Sequence, residues 1–476
     1  MLSRLYGRKF GLLHNLFGVL SPSSAGLVVG SHPPARSIPN HTPIERSEEP
    51  AKIQVSTLPN GVRIVSESAN FPSAVTLGVS VGAGSRDEDM DHSGICHALK
   101  NTFLKTNTRT NEQLNYCMIQ MGGGEFSMKY DQETMLYAGS FLAHDTYDFL
   151  QMMADMVLDD KTVIDEEAAQ WRADEYFKLR ELMSTHATNI EDQWLTAAYG
   201  LKDLGMPLSG FQSKFQNIGY SHINHFREHF ATPDRMLVMG LGINNHEEFV
   251  TAVTPYFQHL APVKSHARPK AQYVGGELRS LSDEQKTTIH LSFQGPEAQN
   301  QEQQAALQVI KRIIGSSCSK SAPGTHRAYT HFVQKYPFVS CLDYSFAHFS
   351  DATNFGLNIS GPSDKAGKLA DALTTELQDL AKVSDLEVDR AKKAFALKAG
   401  QSFISPTTRL WKYSNGIRFT GQPRTLELVE EQVAKVTSDS VRAVAANLLK
   451  SAPTLIVQGG NTHEVPSADK FSARLK

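Results

Sequence analysis

His97, Lys100 and Asn101 are the residues whose types and spacing most invite a chemical reading, and they sit together in GICHALKN, Gly94 to Asn101. On a helix starting near Ser93, Ile95, Leu99 and Phe103 fall on one face, while His97, Lys100 and Asn101 fall on the opposite one. An imidazole on a polar helical face, one turn from further donors, is where a divalent metal can be held and a water activated. The remaining side chains do not supply that chemistry. Lysine is cationic at neutral pH and takes no proton from a metal-bound water, and asparagine is a poor substitute for a neutral imidazole ligand. The plain reading of His97 is a solvated or partly packed histidine, with no metal and no catalysis.

Other signals carry less. His222, His225 and His229 lie at i, i+3 and i+7, but no Cys, Asp or Glu set completes a tetrahedral site, so an exposed polar helix face is the better reading. NHEEFV around His246 lacks the second histidine of H-E-x-x-H. MGGGEF, Met121 to Phe126, follows a helix and has no Lys-Ser or Lys-Thr, which makes it a turn and not a phosphate cradle. The run YDFLQMMADMV has the spacing of a core-facing helix, and nothing points to haem or flavin; no cofactor is expected.

The elements that must position these residues come in two copies. Val75, Leu77, Val79 and Val81 alternate with small or polar residues as a strand does, and GAGSRDEDMD then leads into the helix of His97. About 210 residues on, Ile289, Leu291 and Phe293 alternate, QGPEAQNQ makes the turn and EQQAALQVIKRII has helical period. TMLYAGSFL followed by DTYDFLQMMADMV is matched by NFGLNIS followed by DKAGKLADALTTELQDL. A long charged helix, IDEEAAQWRADEYFKLREL, parallels SDLEVDRAKKAFALKAG, where Ser384 and Glu387 form a capping box. SHINHFREHFATPDRMLVMGLG and TSDSVRAVAANLLKSAPTLIVQGG close the two copies alike, as helix, turn, Pro and apolar strand. Duplication therefore predicts an α+β chain of two similar domains, each a mostly antiparallel sheet packed with helices. The expected boundaries are an N-terminal extension over 1–48, a first domain over 49–259, a Pro-, Gly- and Lys/Arg-containing linker over 260–284 and a second domain over 285–470.

A chain of 476 residues is long enough for more than one core. A net charge of -3 with 20% charged residues gives no nucleic-acid footprint, and no nucleic-acid partner is expected. The four cysteines, Cys96, Cys117, Cys318 and Cys341, are scattered without metal or redox spacing, which fits unpaired thiols in a reducing compartment. Ahead of the first acidic residue, Glu45, the opening MLSRLYGRKFGLLHNLFGVL combines Arg4, Arg8 and Lys9 with Leu5, Phe10, Leu13 and Phe17, the character of a mitochondrial presequence. A secretory signal with GLLHNLFGVL as its apolar region is the competing reading, disfavoured by the cysteines. A membrane span is disfavoured because Ser21, Pro22, Ser23 and Ser24 interrupt the run, so membrane contact is expected only through a larger complex.

The segment from His97 to Asn101 resembles the inverted zincin motif H-x-x-E-H, in which two histidines bind zinc and the glutamate activates the attacking water. With LPNGVRIVSE, VGAGSRDED, TFLKT, LTAAYG, ATPDRMLVMGLGI and YPFVSCLDYSFAHFSDATNFGLNISG, the chain resembles pitrilysin-type metallopeptidase homologues over about Gln54 to Gly460. Within that family it is most similar to mitochondrial processing peptidase and the core proteins of respiratory complex III. Active relatives place a third ligand, a glutamate, at the position the resemblance maps onto Lys178; Glu175 and Glu181 flank it but would need the helix to rotate. Two cations around one histidine would repel zinc.

The resemblance thus implies an inactive member, on the side of the noncatalytic alpha subunit and the second core protein. In alpha subunits a glycine-rich loop contacts presequences; here the matching stretch is GSSCSKSAPGTHRAY, Gly315 to Tyr329. Gly315, Ser316, Ser317 and Gly324 are its candidate substrate-binding remnant, stiffened by the loss of glycines and made basic by Lys320, His326 and Arg327. The implied role is a scaffold subunit of complex III on the matrix side of the inner membrane, partnered by a beta-type core subunit and other complex III subunits. The alternative is the alpha subunit of a working processing peptidase that presents presequences to a catalytic beta partner, or both roles in one protein. A third reading, an autonomous zinc peptidase, requires stoichiometric zinc in the isolated chain.

Overall fold

Val75, Leu77, Val79 and Val81 bury one face of a strand against helices, as their alternation predicts, but the opposite face of Thr76, Gly78 and Ser80 is buried too. The reason is a second layer supplied by the other half of the chain. The computed structural model describes residues 51–69, 74–104, 106, 108–109, 111–120, 124–158, 190–215, 218–317 and 326–475. The expected N-terminal extension, 1–48, lies outside the described residues, as does the long charged helix expected around Lys178.

The first half contains β1 (Ile53–Thr57), β2 (Arg63–Glu67), β3 (Ala74–Val81), α1 (Ile95–Thr102), α2 (Asn111–Gln120), β4 (Glu125–Tyr130), β5 (Met135–Leu142) and α3 (Thr146–Leu158). It continues with α4 (Ile190–Tyr199), α5 (Tyr220–Phe230), β6 (Met236–Leu241) and α6 (His246–Phe257). The second half contains β7 (Gly276–Leu281), β8 (Lys286–Gln294), α7 (Gln301–Ile314), β9 (Cys341–His348), β10 (Thr353–Pro362), α8 (Ala366–Asp379) and α9 (Asp385–Ile404). After these come α10 (Pro406–Thr420), α11 (Leu426–Ala434), α12 (Ser438–Leu448), β11 (Thr454–Gly459) and α13 (Ala468–Leu475).

The sheets run β1-β2-β6-β3-β5-β4 and β7-β11-β8-β10-β9. Apart from the added β1, strand for strand the pairing is the same: one parallel pair, β2 with β6 or β7 with β11, and antiparallel neighbours thereafter. The fold is α+β and duplicated. This equivalence makes β7 the counterpart of β2. The stretch 260–284 expected as linker therefore carries a repeat strand from Gly276 onward, and a linker can reach only to its N-terminal side. The strand was hidden because its residues are mostly exposed at a sheet edge and show no apolar alternation.

Each half lends one helix to the other. From α10, Leu410, Tyr413 and Ile417 pack on Leu136, Ala138, Leu237, Met239 and Leu241 of the first sheet. From α4, Trp194, Leu195, Ala198 and Tyr199 cluster with Ile456 of β11 and with Phe349. Polar residues on these strands are matched to the visitor: Ser80 Oγ lies 2.6 Å from Ser414 Oγ, and Asn354 Nδ2 donates to the Tyr199 hydroxyl at 2.8 Å. An uncovered face would need no such partners.

The predicted capping box is present: Ser384 N donates to Glu387 Oε2 at 3.0 Å and Ser384 Oγ accepts from Glu387 N at the start of α9. The expectation of unpaired cysteines fails at Cys341, which is disulfide-bonded, while Cys96 and Cys117 are free. Separation along the chain says nothing about proximity in space, which is what pairing requires.

Candidate functional site

The turn before α1 is pinned by a buried carboxylate. Glu88 accepts from Gly94 N and from Cys96 N, each at 2.7 Å, so it satisfies two of the donors that a helix start leaves without partners. Burial pushes its pKa up to about 7, against the two N–H bonds that pull it down. Gly94 itself has φ +105°, and the backbone of Gly210 comes so close that a Cβ there would meet Gly94 Cα at 2.4 Å. Glycine is required at this crossing. Nothing in the local pattern marks Glu88 beyond an acid standing seven residues ahead of the first residue of α1.

Helix α1 then does what its apolar spacing predicts. Ile95, Cys96, Ala98 and Leu99 are buried, Lys100 and Asn101 are exposed, and His97 lies between these extremes. The polar face is engaged in local contacts. Tyr130 of β4 donates its hydroxyl proton to the Leu208 carbonyl at 3.0 Å, and its oxygen lies 3.2 Å from His97 Nδ1. With that proton committed, the His97 tautomer protonated on Nδ1 completes the bond. Lys100 Nζ sits 5.9 Å from the centre of the Tyr130 ring, within reach of a cation–π contact, and Asn101 Nδ2 donates to the His97 carbonyl at 3.1 Å.

The structure therefore brings His97, Lys100 and Asn101 onto one face, while Lys178 lies outside the described residues. One imidazole, one ammonium and one amide do not fit a zinc ion, which needs neutral imidazoles and anionic oxygens or sulfurs. Among the described residues no group of three or more His, Cys, Asp or Glu side chains could hold a metal. The histidines of α5 and His246 find other partners: the rings of His222 and His92 are 4.6 Å apart, those of His225 and His229 4.2 Å, and His246 bridges Ser56 and Ser66 at 2.7 and 2.8 Å.

At the second candidate site, Gly315 ends α7 with φ +66°, and a Cβ there would meet His326 Cγ at 2.2 Å. Ser317 is tied to β9: its N–H donates to the Leu342 carbonyl at 2.8 Å, and its Oγ accepts from Leu342 N at 2.7 Å. Ser316 lies between these two anchors. Cys318 to Thr325, including Gly324, lies outside the described residues.

No described helix is long and apolar enough to cross a membrane. Residues 63–211 match the family model described as Insulinase (Peptidase family M16), and residues 217–395 match the one described as Peptidase M16 inactive domain. The chain is 25% identical to mitochondrial-processing peptidase subunit alpha-2 of Dictyostelium discoideum over 92% of its own length and 98% of that protein. It is 24% identical to mitochondrial-processing peptidase subunit alpha of Solanum tuberosum, covering 97% and 92% respectively, and 24% identical to subunit beta of Saccharomyces cerevisiae, covering 89% and 94%. A chain of the solved structure "Complex III2 from Candida albicans, Inz-5 bound" shares the fold with a TM-score of 0.74 at 16% identity, over 89% of this chain and 100% of that one. With a duplicated sheet topology and two family matches that together span most of its length, the chain belongs to the M16 (insulinase) family of peptidases.

Proposed function

We propose that the protein is a noncatalytic core subunit of mitochondrial respiratory complex III, held on the matrix side of the inner membrane by a beta-type core partner and by other subunits of the complex. The observation that carries this reading is the donor set on α1: His97 bonded toward Tyr130, with Lys100 and Asn101 where a metallopeptidase needs a carboxylate and a second imidazole. Lys178 in place of a third ligand completes the loss, and residues 1–48 serve as the mitochondrial presequence. The fold shared with a complex III chain supports the scaffold role.

A second reading is supported by the alpha-subunit relatives: the chain, or the same protein in both roles, is the alpha subunit of a working processing peptidase. Gly315, Ser316, Ser317 and Gly324 would then contact presequences. The anchoring of Gly315 and Ser317 to α7 and β9 favours a fixed loop base over a freely hinged one.

The test is to purify the full chain with its beta-type partner and to assay presequence cleavage with and without deletion of residues 315–329. A core subunit leaves cleavage unchanged after the deletion, while depletion of the chain abolishes complex III assembly on native gels. Cleavage lost on deletion would make the alpha-subunit role the correct one, and one zinc per isolated chain would overturn the noncatalytic reading altogether.

A further inference from the structure

A cavity of about 650 Å³ lies between the two halves, walled by β4, α4, α7, β9, α10 and the segment leading into α11. Lys129, Lys311, Lys412 and Arg424 all line it, and the only carboxylate among its lining residues is Asp131. Asp131 is already engaged in its own turn, accepting from Glu133 N and Thr134 N at 2.8 Å each. None of the four cations makes an ion pair with a carboxylate among the described residues. Their contacts are neutral instead. Lys311 Nζ donates to Gln308 Oε1 at 3.3 Å and sits 3.8 Å from the centre of the Phe346 ring; Lys129 Nζ lies 4.5 Å from the Trp411 ring; Lys412 donates to Ser402 Oγ and lies 3.7 Å from the Phe403 ring.

Lys129 is exposed and its charge acts on Asp131, but Lys311, Lys412 and Arg424 come from three separate elements, are partly buried and have no carboxylate paired to them. That is costly, because each loses hydration and Arg424 repels both lysines. The cost is visible in the titration of Lys311 and Lys412. Burial, with Arg312 and Arg424 nearby, pulls Lys311 down to about 7; burial and Arg424 pull Lys412 down to about 8. His348, which also faces the cavity, is pushed to about 4 by burial and then by Arg424 and Lys311. A bound polyanion would relieve all of these at once.

We propose that this cavity binds a polyphosphate group, either free or carried by a nucleotide. Several negative charges within a few ångströms match Lys311, Lys412 and Arg424 better than a single carboxylate does, and the Arg424 guanidinium offers the paired donors that phosphate oxygens favour. The volume is in the range of small-molecule sites, and Trp411, Phe346 and Phe419 on the wall provide apolar surface for a base. The site is separate from the face of His97 and holds whether the chain serves as a core or an alpha subunit.

The test titrates the full chain at about pH 6.5, where the amines are mostly protonated, with pyrophosphate, ATP and inorganic phosphate, read by calorimetry and thermal unfolding. Saturable binding of pyrophosphate or ATP is expected, weakened about tenfold or more by Lys311→Met and by Arg424→Gln. Trp411→Leu separates the sources: loss of ATP affinity with pyrophosphate affinity intact identifies a nucleotide, and equal affinity for both identifies the free group. Protection of Lys311 from acetylation in the parent chain, read by peptide mass spectrometry, gives an independent measure that needs no variant. No saturable binding of either ligand, or binding and Lys311 acetylation indifferent to these changes, would overturn the proposal.

Discussion

At His97 a single imidazole persists on a face that otherwise suits water and cations. Its Nδ1 is bonded toward Tyr130, and the same tyrosine ring carries Lys100 at 5.9 Å, so His97 and Lys100 are part of one local arrangement. A positive amine about 4 Å from a bound ion costs roughly 4 kcal/mol per pair of unit charges at an effective dielectric near 20, more than one imidazole ligand can offset. Restoring the motif alone is therefore expected to fail: Lys100→Glu with Asn101→His should leave zinc well below one per chain, and adding Lys178→Glu should raise it to stoichiometric. Elemental analysis of the dialysed proteins decides, and full occupancy in the double variant would mean that Lys178 does not stand at the third ligand position.

The exchanged helices matter most at the scale of elements. Leu410 belongs to α10 of the second half, yet it is fully buried in the cluster under the first sheet, where a Cβ added to Gly78 would meet its Cδ1 at 2.8 Å. The glycine in β3 is thus a seat for a visiting leucine. Leu410→Ala should cost about 2–5 kcal/mol, the range for emptying a buried leucine site. Hydrogen exchange should show the loss in β3, β5 and β6, far away in sequence. A loss of protection confined to α10 and the second half would contradict the exchanged packing.

For the whole molecule, the junction between halves is sealed by buried charge. Arg86 Nη1 donates to Glu133 at 2.7 Å and to Asp351 at 2.8 Å, while its Nη2 reaches Asp351 at 2.9 Å and the Pro269 carbonyl at 2.7 Å. One guanidinium therefore ties the first half, the connecting segment and the second half. Arg268 adds Asp87 at 2.9 Å, and Glu133 accepts from Ser350 N at 2.7 Å. Arg86→Met leaves Glu133 buried without its closest cation and should cost about 3–5 kcal/mol in urea unfolding. Arg86→Lys should not restore the loss, because an ammonium cannot span both carboxylates and the carbonyl. A variant as stable as the parent would show the network to be dispensable.

Much of this was legible in order of residues. The alternation of Val75 to Val81 and of Ile289 to Phe293 marked equivalent strands, and Ser384 with Glu387 marked a helix start, because backbone period and capping are local properties. The chemical poverty of His97, Lys100 and Asn101 was also visible, since a cationic amine cannot donate electrons to a metal wherever the helix is placed. Hidden were β7, whose residues look like linker until β11 lies beside them; the disulfide at Cys341; and Arg86, which reads as part of an acidic turn. The cavity cations come from positions 129, 311, 412 and 424. Short-range pattern determined which elements form and which chemical groups the α1 face presents. Only the folding of distant segments onto one another decided which helix covers which sheet and which charges meet, because those contacts depend on proximity in space and leave no periodic trace along the chain.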